Sequence, residues 1–361
     1  MADDDARDAL SGGQLSSGGE LSSGGDLSSG AERSRRRAPS GRVSMAMVAS
    51  RAGVSGQTVS RVVNDSPRVD PATRSRVERA MAELGYRPHR AARALRTGRS
   101  HTIGLVVTTL ATVGNSRMLQ ATAEAAAERG YALTLVTAGD SVAEAFERLA
   151  EQEVDGAIVL NEASALLPAA DRPAGLRLVV VDASTAAGLT VVHSDHVGGA
   201  AAATAHLLSL GHGNVHHLAG PAGSFAAAER ERGWRDTLVE AGIEAPEIVR
   251  GDWSAEAGYA AGESLAAASA VFCANDQMAL GLLRALAEAG RRVPEDVGVI
   301  GFDDVPDAAN YRPPLTTIRQ DFTALAHRAV GLLVADIEGR AEGSASAVVV
   351  PTLLVERSST R

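Results

Sequence analysis

Within GVSGQTVSRVVN (53–64), two side chains stand at a spacing that suits a hydrogen-bonding task. Arg61 carries a planar fork that can donate two bonds to guanine O6 and N7, and Gln57 can pair with adenine N6 and N7. Gly56 and Ser60 share their side of a helix, while Val59, Val62 and Val63 are left to hold it to a core. Ser55, Thr58, Ser60 and Asn64 are short polar groups suited to phosphate contacts, which fix register without reading sequence.

Such a set works only on a helix whose start and angle are fixed. Ser55 can accept from the first backbone N–H groups of that helix, and Gly53 takes the positive φ that a sharp turn ahead of it requires. Val48, Ala49 and Ala52 can face Val54, Val59 and Val62, which makes the segment a helix-turn-helix. Ser44 can cap the helix before it. Asp70 and Pro71 open a further helix that runs through Leu84 and stops at Gly85. With Ser44 and Thr73 at the starts of the flanking helices, the expected DNA contacts in this region are Ser44, Ser55, Gly56, Gln57, Thr58, Ser60, Arg61, Asn64 and Thr73.

The formal net charge of the 361 residues is −9, which by itself argues against a nucleic-acid partner. Its distribution reverses the argument. Residues 33 to 99 hold sixteen arginines against four acids, a local +12, and the rest of the chain carries −21. The chain contains no lysine at all. Such asymmetry between segments signals a polyanionic partner. No apolar run is long enough to span a membrane, and the acidic start MADDDARDAL is not a secretory signal. The single cysteine, Cys273, leaves no internal disulfide framework and no CxxC metal site. A cytoplasmic location is expected.

Residues 10–32 repeat LSSGG-like units of Gly, Ser and single acids, which cannot bury a core, and the basic arm RSRRR follows. From His101 onward, β-rich apolar runs alternate with Ala-rich helical stretches: TIGLVV (102–107), ALTLV (132–136), GAIVL (156–160), RLVVV (177–181), VHHLAG (215–220), AVFCA (270–274) and VGVIGF (297–302). Continuous apolar strands between helices imply parallel sheets covered on both faces. With only 3% aromatic residues, their cores are expected to be built from Ala, Val and Leu. Polar groups gather where these runs end: Asp182 closes RLVVVD, Asn275 and Asp276 follow AVFCA, and Asp303 and Asp304 close VGVIGFDD. Carboxylates accept donated bonds and Asn both donates and accepts, the chemistry that binding hydroxyl groups requires.

The stretch from VASRAGVSGQTVSRVVN to RTGRSHTIGLV, together with HLLSLGHGNVHHLAGP (206–221), GDWSAEAGY (251–259), ANDQMALGLLRAL (274–286) and GVIGFDDVPDAANYRPPLTTIRQDF (298–322), resembles the lac repressor/galactose repressor family of bacterial transcriptional regulators. The resemblance covers nearly the whole chain after residue 42. It implies an all-α helix-turn-helix head at 42–88 behind a tail at 1–41, a hinge at 89–100, and a core at 101–361 like periplasmic sugar-binding proteins, with two doubly wound lobes. The first lobe would comprise about 101–194 and 320–350, the second about 195–319 and 351–361. It also implies a homodimer on pseudo-palindromic double-stranded operator DNA, released when a sugar binds between the lobes. Some members of the family respond in the opposite sense, to a purine-type ligand that tightens DNA binding.

By the same resemblance, Thr108, Asp182, Arg230, Trp253, Asn275, Asp303, Gln320 and Phe322 line the ligand site, with Trp253 as a flat wall for a sugar's C–H face. Ala92 and Leu95 belong to a hinge helix ordered only on DNA, Leu95 being the apolar wedge that parts a base step in the minor groove. Four departures stand out: Ser194 where a pocket Phe occurs in the family, Ala226 and Thr108 each for a pocket Ser, and Gly56 for an aromatic at the first reading position. The effector and the operator sequence therefore do not carry over, although GDWS and ANDQMALG lean toward a galactoside. The chain closes at LLVERSSTR without the heptads of a tetramer-forming tail, so a dimer is expected. His212, His216 and His217 lie close together, but His216 and His217 alternate along a strand and cannot all face one metal ion. No nucleophile with its base and no phosphate-cradling loop occurs, so neither an enzyme nor a cofactor is expected. A transport component would need a secretory signal and no basic head.

Overall fold

The computed structural model describes residues 43–64, 66–86, 98–139, 141–161, 163, 175–184, 189–340 and 347–360. Ala92, Leu95 and the repeat tail lie outside them. The chain divides into two compact units, Met1–Arg87 and Pro88–Arg361.

In the first unit, α1 (Met45–Ala52), α2 (Gly56–Val63) and α3 (Pro71–Leu84) each begin at a side-chain cap. Ser44 accepts from Met47 N–H, Ser55 from Thr58 N–H and Asp70 from Thr73 N–H. Gly53, at φ +65°, ends α1 and turns the chain into α2. Val48, Ala49, Val59, Val62, Val77, Ala80 and Tyr86 form the core where the three helices meet. Arg51 and Glu83 tie α1 to α3 at 2.5 Å. Burying these few apolar side chains, worth roughly 1.5–3 kcal/mol for each large one, is what a head of this size has to hold it together.

The second unit contains two six-stranded sheets. The first lobe's sheet runs β11–β5–β4–β3–β1–β2, all parallel. Its strands are β1 (Thr102–Val107), β2 (Ala132–Thr137), β3 (Gly156–Leu160), β4 (Arg177–Val181), β5 (Thr190–Ser194) and β11 (Ala347–Val350). The helices α4 (Val113–Glu128), α5 (Val142–Glu151) and α10 (Phe322–Ile337) pack on it. The second sheet runs β12–β10–β9–β8–β6–β7, parallel except for β12 against β10. It comprises β6 (His216–Ala219), β7 (Val249–Arg250), β8 (Ala270–Cys273), β9 (Gly298–Asp303), β10 (Thr316–Gln320) and β12 (Thr352–Val355), with α6 (His196–Ser209), α7 (Phe225–Glu240), α8 (Ala255–Ala260) and α9 (Asp276–Glu288). The central strands β1, β3, β8 and β9 are buried almost throughout, as parallel strands covered on both faces must be.

The chain crosses between the lobes three times, around Asp195, Asp321 and Pro351. Two crossings are bonded to each other: Asp195 N–H donates to Val350 O (2.8 Å) and Thr352 Oγ1 to Asp195 O (3.2 Å). Among the described residues, no helix is long and apolar enough to cross a membrane.

The aliphatic expectation is incomplete in both lobes: Tyr131, Phe146 and Phe322 are buried in the first, and Trp234, Phe272 and Phe302 in the second. In the second lobe His217 stacks on Phe272 (centroids 4.7 Å apart, planes at 11°) and leans on Trp234 at 5.2 Å. Its Nδ1–H donates to Phe272 O at 2.9 Å, and Nε2 is buried without a partner. Burial pushes the imidazole down to about 4, against the opposing pull of the Phe272 carbonyl. An unfolded histidine titrates near 6.5, so between these values the unfolded chain binds a proton that the native one refuses. Stability is then whole above pH 6.5 and falls as the pH drops toward 4, by up to about 3 kcal/mol. We expect His217→Phe to flatten this part of the pH–Tm profile relative to wild type; two parallel profiles would contradict the assignment.

Candidate functional site

On the head, α2 presents Gly56, Gln57 and Arg61 to solvent while Val59 and Val62 are buried. The short polar groups are turned on one another. Ser55 Oγ and Thr58 Oγ1 bond at 3.0 Å, and Asn64 Nδ2 donates to Ser60 O (2.5 Å) and Ser60 Oγ (3.3 Å). Thr73 Oγ1 accepts from Arg76 Nη2 at 3.3 Å, and Ser44 Oγ is a cap. Among the described residues, no hydrogen bond or ion pair engages the Gln57 or Arg61 side chain, and both project from the same exposed helix. The head therefore offers two long polar side chains, engaged by no described residue, on a capped helix.

The core contains a cavity between the lobes. It is lined by Thr112, Gly114, Met118, Asn161, Asp182, Ala226, Arg230, Trp253, Asn275, Asp303, Gln320 and Phe322. Every one lies at or beyond the carboxyl end of a strand or on the helix that follows, where ligands bind in doubly wound sheets. Seven of the eight residues expected to hold the ligand are thus brought together. Thr108 is not: it directly follows β1, the chain runs on through 109–111, and Thr112 and Gly114 at the start of α4 form the wall. Ser194 does not line the cavity either; its side chain is buried, and its N–H donates to Asp182 Oδ1 at 3.2 Å.

The backbone is strained at this site. Seven non-glycine residues among those described have positive φ, and four line the cavity: Asn161 (+46°), Asp182 (+52°), Trp253 (+75°) and Asp303 (+114°). Each such residue costs about 1–3 kcal/mol and persists only where its surroundings over-determine it. For Trp253 those surroundings are visible. Asn275 Nδ2 donates to its carbonyl at 3.0 Å, and its indole lies on Gly220, where a Cβ would fall 2.3 Å from Cη2. Asn275 Oδ1 also caps α9 through Met278 N–H (2.9 Å), so a good part of this side chain serves structure.

The charged groups form a buried chain across the cleft. Asp182 Oδ1, from the first lobe, meets His196 Nε2 at 2.9 Å. Arg230, from the second, donates Nε–H to His196 Nδ1 (3.3 Å) and Nη1–H to Ala274 O, and lies 3.8 Å from the Phe302 ring centroid. Its Nη2 is 3.7 Å from Asp303 Oδ1, which accepts from Gln320 Nε2 at 2.6 Å. Burial works to raise the Asp182 pKa, but His196, Arg230 and the Ser194 N–H outweigh it and hold the carboxyl below its usual value. For Asp303 burial wins over Arg230 and Gln320, and the pKa is raised. Asp276 is raised well above the carboxylate range by burial and by the charge of Asp303, and accepts from Thr317 Oγ1 (2.5 Å) and Val305 N–H (2.8 Å). Asp304 serves structure, taking bonds from Arg319 and Arg357, each at 2.6 Å.

The polar atoms left toward the cavity are mostly acceptors. Asp182 Oδ2 and Asp303 Oδ2 accept no bond among the described residues, and Gln320 Oε1 is buried without a partner. Trp253 and Phe322 add flat apolar surface. Two contacts join the lobes beside the cavity: Val113 N–H donates to Gln277 Oε1 (3.1 Å) and Arg117 Nη1 to Asp304 O (3.2 Å). Thr112, Gly114, Met118 and Asn161 are additions to the expected set. Asn161 directly follows GAIVL, so the strand-end rule that singled out Asp182 would have found it.

Comparison with known proteins agrees with both halves. Residues 44–89 match the bacterial regulatory proteins of the lacI family, and residues 204–360 match the periplasmic binding protein-like domain. The chain is 37% identical to the HTH-type transcriptional regulator CelR of Thermobifida fusca over 351 residues, covering 90% of this chain and 99% of that one. Among solved structures, the lac repressor dimer bound to operator and the anti-inducer ONPF superposes with a TM-score of 0.78 at 35% identity, covering 89% of this chain and 99% of that one. A CelR–cellobiose complex gives 0.66 at 35% identity, covering 88% and 100%. The chain belongs to the lacI family of bacterial regulatory proteins.

Proposed function

We propose that the protein is a dimeric transcriptional repressor that binds a pseudo-palindromic operator through Gln57 and Arg61 of α2 and leaves it when an uncharged sugar enters the cavity. The observation that carries the effector class is the acceptor-rich lining: two carboxylates face the space with one oxygen each, which suits a ligand bearing several O–H donors and opposes an anionic one. Trp253 and Phe322 supply the stacking surface that a pyranose ring fits. The strained backbone at four lining residues supports a preformed site. Galactosides and β-glucosides are both candidates, the latter because a relative is known in complex with cellobiose. Occupancy shifts the balance between two lobe arrangements, so operator binding must weaken sugar binding by the same factor.

The test is a thermal-shift panel of cellobiose, lactose, glucose, galactose and their phosphates, followed by operator release measured on a site selected in vitro. A neutral sugar at 100 times its Kd should stabilise by about 2.7 kcal/mol, with sugar phosphates silent. A protein that prefers no pseudo-palindromic site over bulk DNA, with or without these sugars, would end the proposal.

A further inference from the structure

We propose that His196 is a positioning residue of the sugar site: a neutral imidazole, protonated on Nε2 alone, that fixes the Asp182 carboxylate of one lobe and the Arg230 guanidinium of the other. The inference rests on the reading of the cavity given above. His196 is 2% exposed and opens α6, directly after the first crossing between the lobes. Its two ring nitrogens point at side chains from opposite lobes, Nε2 at Asp182 Oδ1 (2.9 Å) and Nδ1 at Arg230 Nε (3.3 Å).

The tautomer follows from the chemistry of the partners. A guanidinium Nε–H can only donate. Nδ1 must therefore be the acceptor, and the ring proton sits on Nε2, facing a carboxylate that can only accept. An imidazolium would place Nδ1–H against Nε–H, with two like charges in contact. The ring has little freedom to rotate away, since Phe302 and Phe225 flank it with centroids at 6.0 and 6.3 Å.

This bridge decides which atoms a ligand meets. Both described bonds to Asp182, from His196 and from Ser194 N–H, go to Oδ1, so Oδ2 stays with the cavity. Arg230 is held at Nε by His196 and at Nη1 by Ala274 O, which sets its Nη2 on the Asp303 side. Because Asp182 and Arg230 belong to different lobes, a change in lobe arrangement must stretch one side of the imidazole bridge. The geometry makes this ring the point at which ligand contacts sense lobe position.

The direct test needs no ligand. In full-length protein labelled with ¹⁵N-histidine, the resonances lost in His196→Gln should show the neutral Nε2–H tautomer at pH 7; an Nδ1–H tautomer or an imidazolium there would overturn the proposal. The second arm measures cellobiose and lactose binding by calorimetry, with folding checked by circular dichroism. His196→Gln keeps a neutral donor and acceptor on one group and should bind within a few-fold of wild type. His196→Leu keeps neither and should bind about 10- to 100-fold more weakly. Equal binding by the folded Leu variant would sink the positioning role. If wild type binds neither sugar, the effector reading fails, and the tautomer alone decides whether His196 joins the two side chains.

Discussion

Arg230→Met is expected to abolish the response to sugar and to lower stability by about 3–5 kcal/mol, the range for removing one partner of a buried ion pair. The guanidinium is 4% exposed and lies between His196, the Ala274 carbonyl and the Asp303 carboxylate. Without it, Asp303 keeps Gln320 as its hydrogen-bond donor but loses the guanidinium charge that offsets its burial. Its pKa, already raised by burial, must climb further. A carboxyl whose folded pKa lies above its unfolded value binds more protons when native, so acid favours the folded state. The gap in Tm between variant and wild type should therefore narrow from pH 7 to pH 5. A variant with wild-type Tm and an intact sugar response would remove Arg230 from the site.

The second large effect concerns DNA. Arg61→Ala should cost about 1–3 kcal/mol per half-site, so a selected operator would lose at least about 10-fold in affinity while bulk DNA loses little. Base preference should relax at one position in each half-site. Asn64→Ala, by contrast, should act mainly through the end of α2, because Asn64 is bonded to Ser60. Equal losses on operator and bulk DNA for Arg61→Ala, read by competition at fixed salt, would assign Arg61 to phosphate contact.

The head was legible because its signals are local. Ser44, Ser55 and Asp70 cap the three helices, and Gly53 and Gly85 take positive φ at their ends. The runs GAIVL and RLVVV coincide with β3 and β4 because both are continuous apolar stretches. β5 (TVVHS) and β10 (TTIRQ) escaped notice because Thr, His, Arg and Gln break their apolar pattern. In β10 that polarity is used: Thr317 holds Asp276 and Gln320 holds Asp303. The strand-end rule found Asp182, Asn275 and Asp303, but Met118 enters the cavity from the second turn of α4, a placement no run of letters encodes. His196 gave no such signal, because its partners lie 14 and 34 residues away.

The threefold passage of the chain between the lobes also bears on how the protein is made. A nascent chain that has emerged as far as residue 340 still lacks β11, the edge strand of one sheet, and β12, the edge strand of the other. Neither lobe can complete itself on the ribosome ahead of its neighbour, as successive domains ordinarily do. Both sheets receive these edge strands within a few residues of each other, and a stop anywhere before residue 347 leaves two open edges exposed at once.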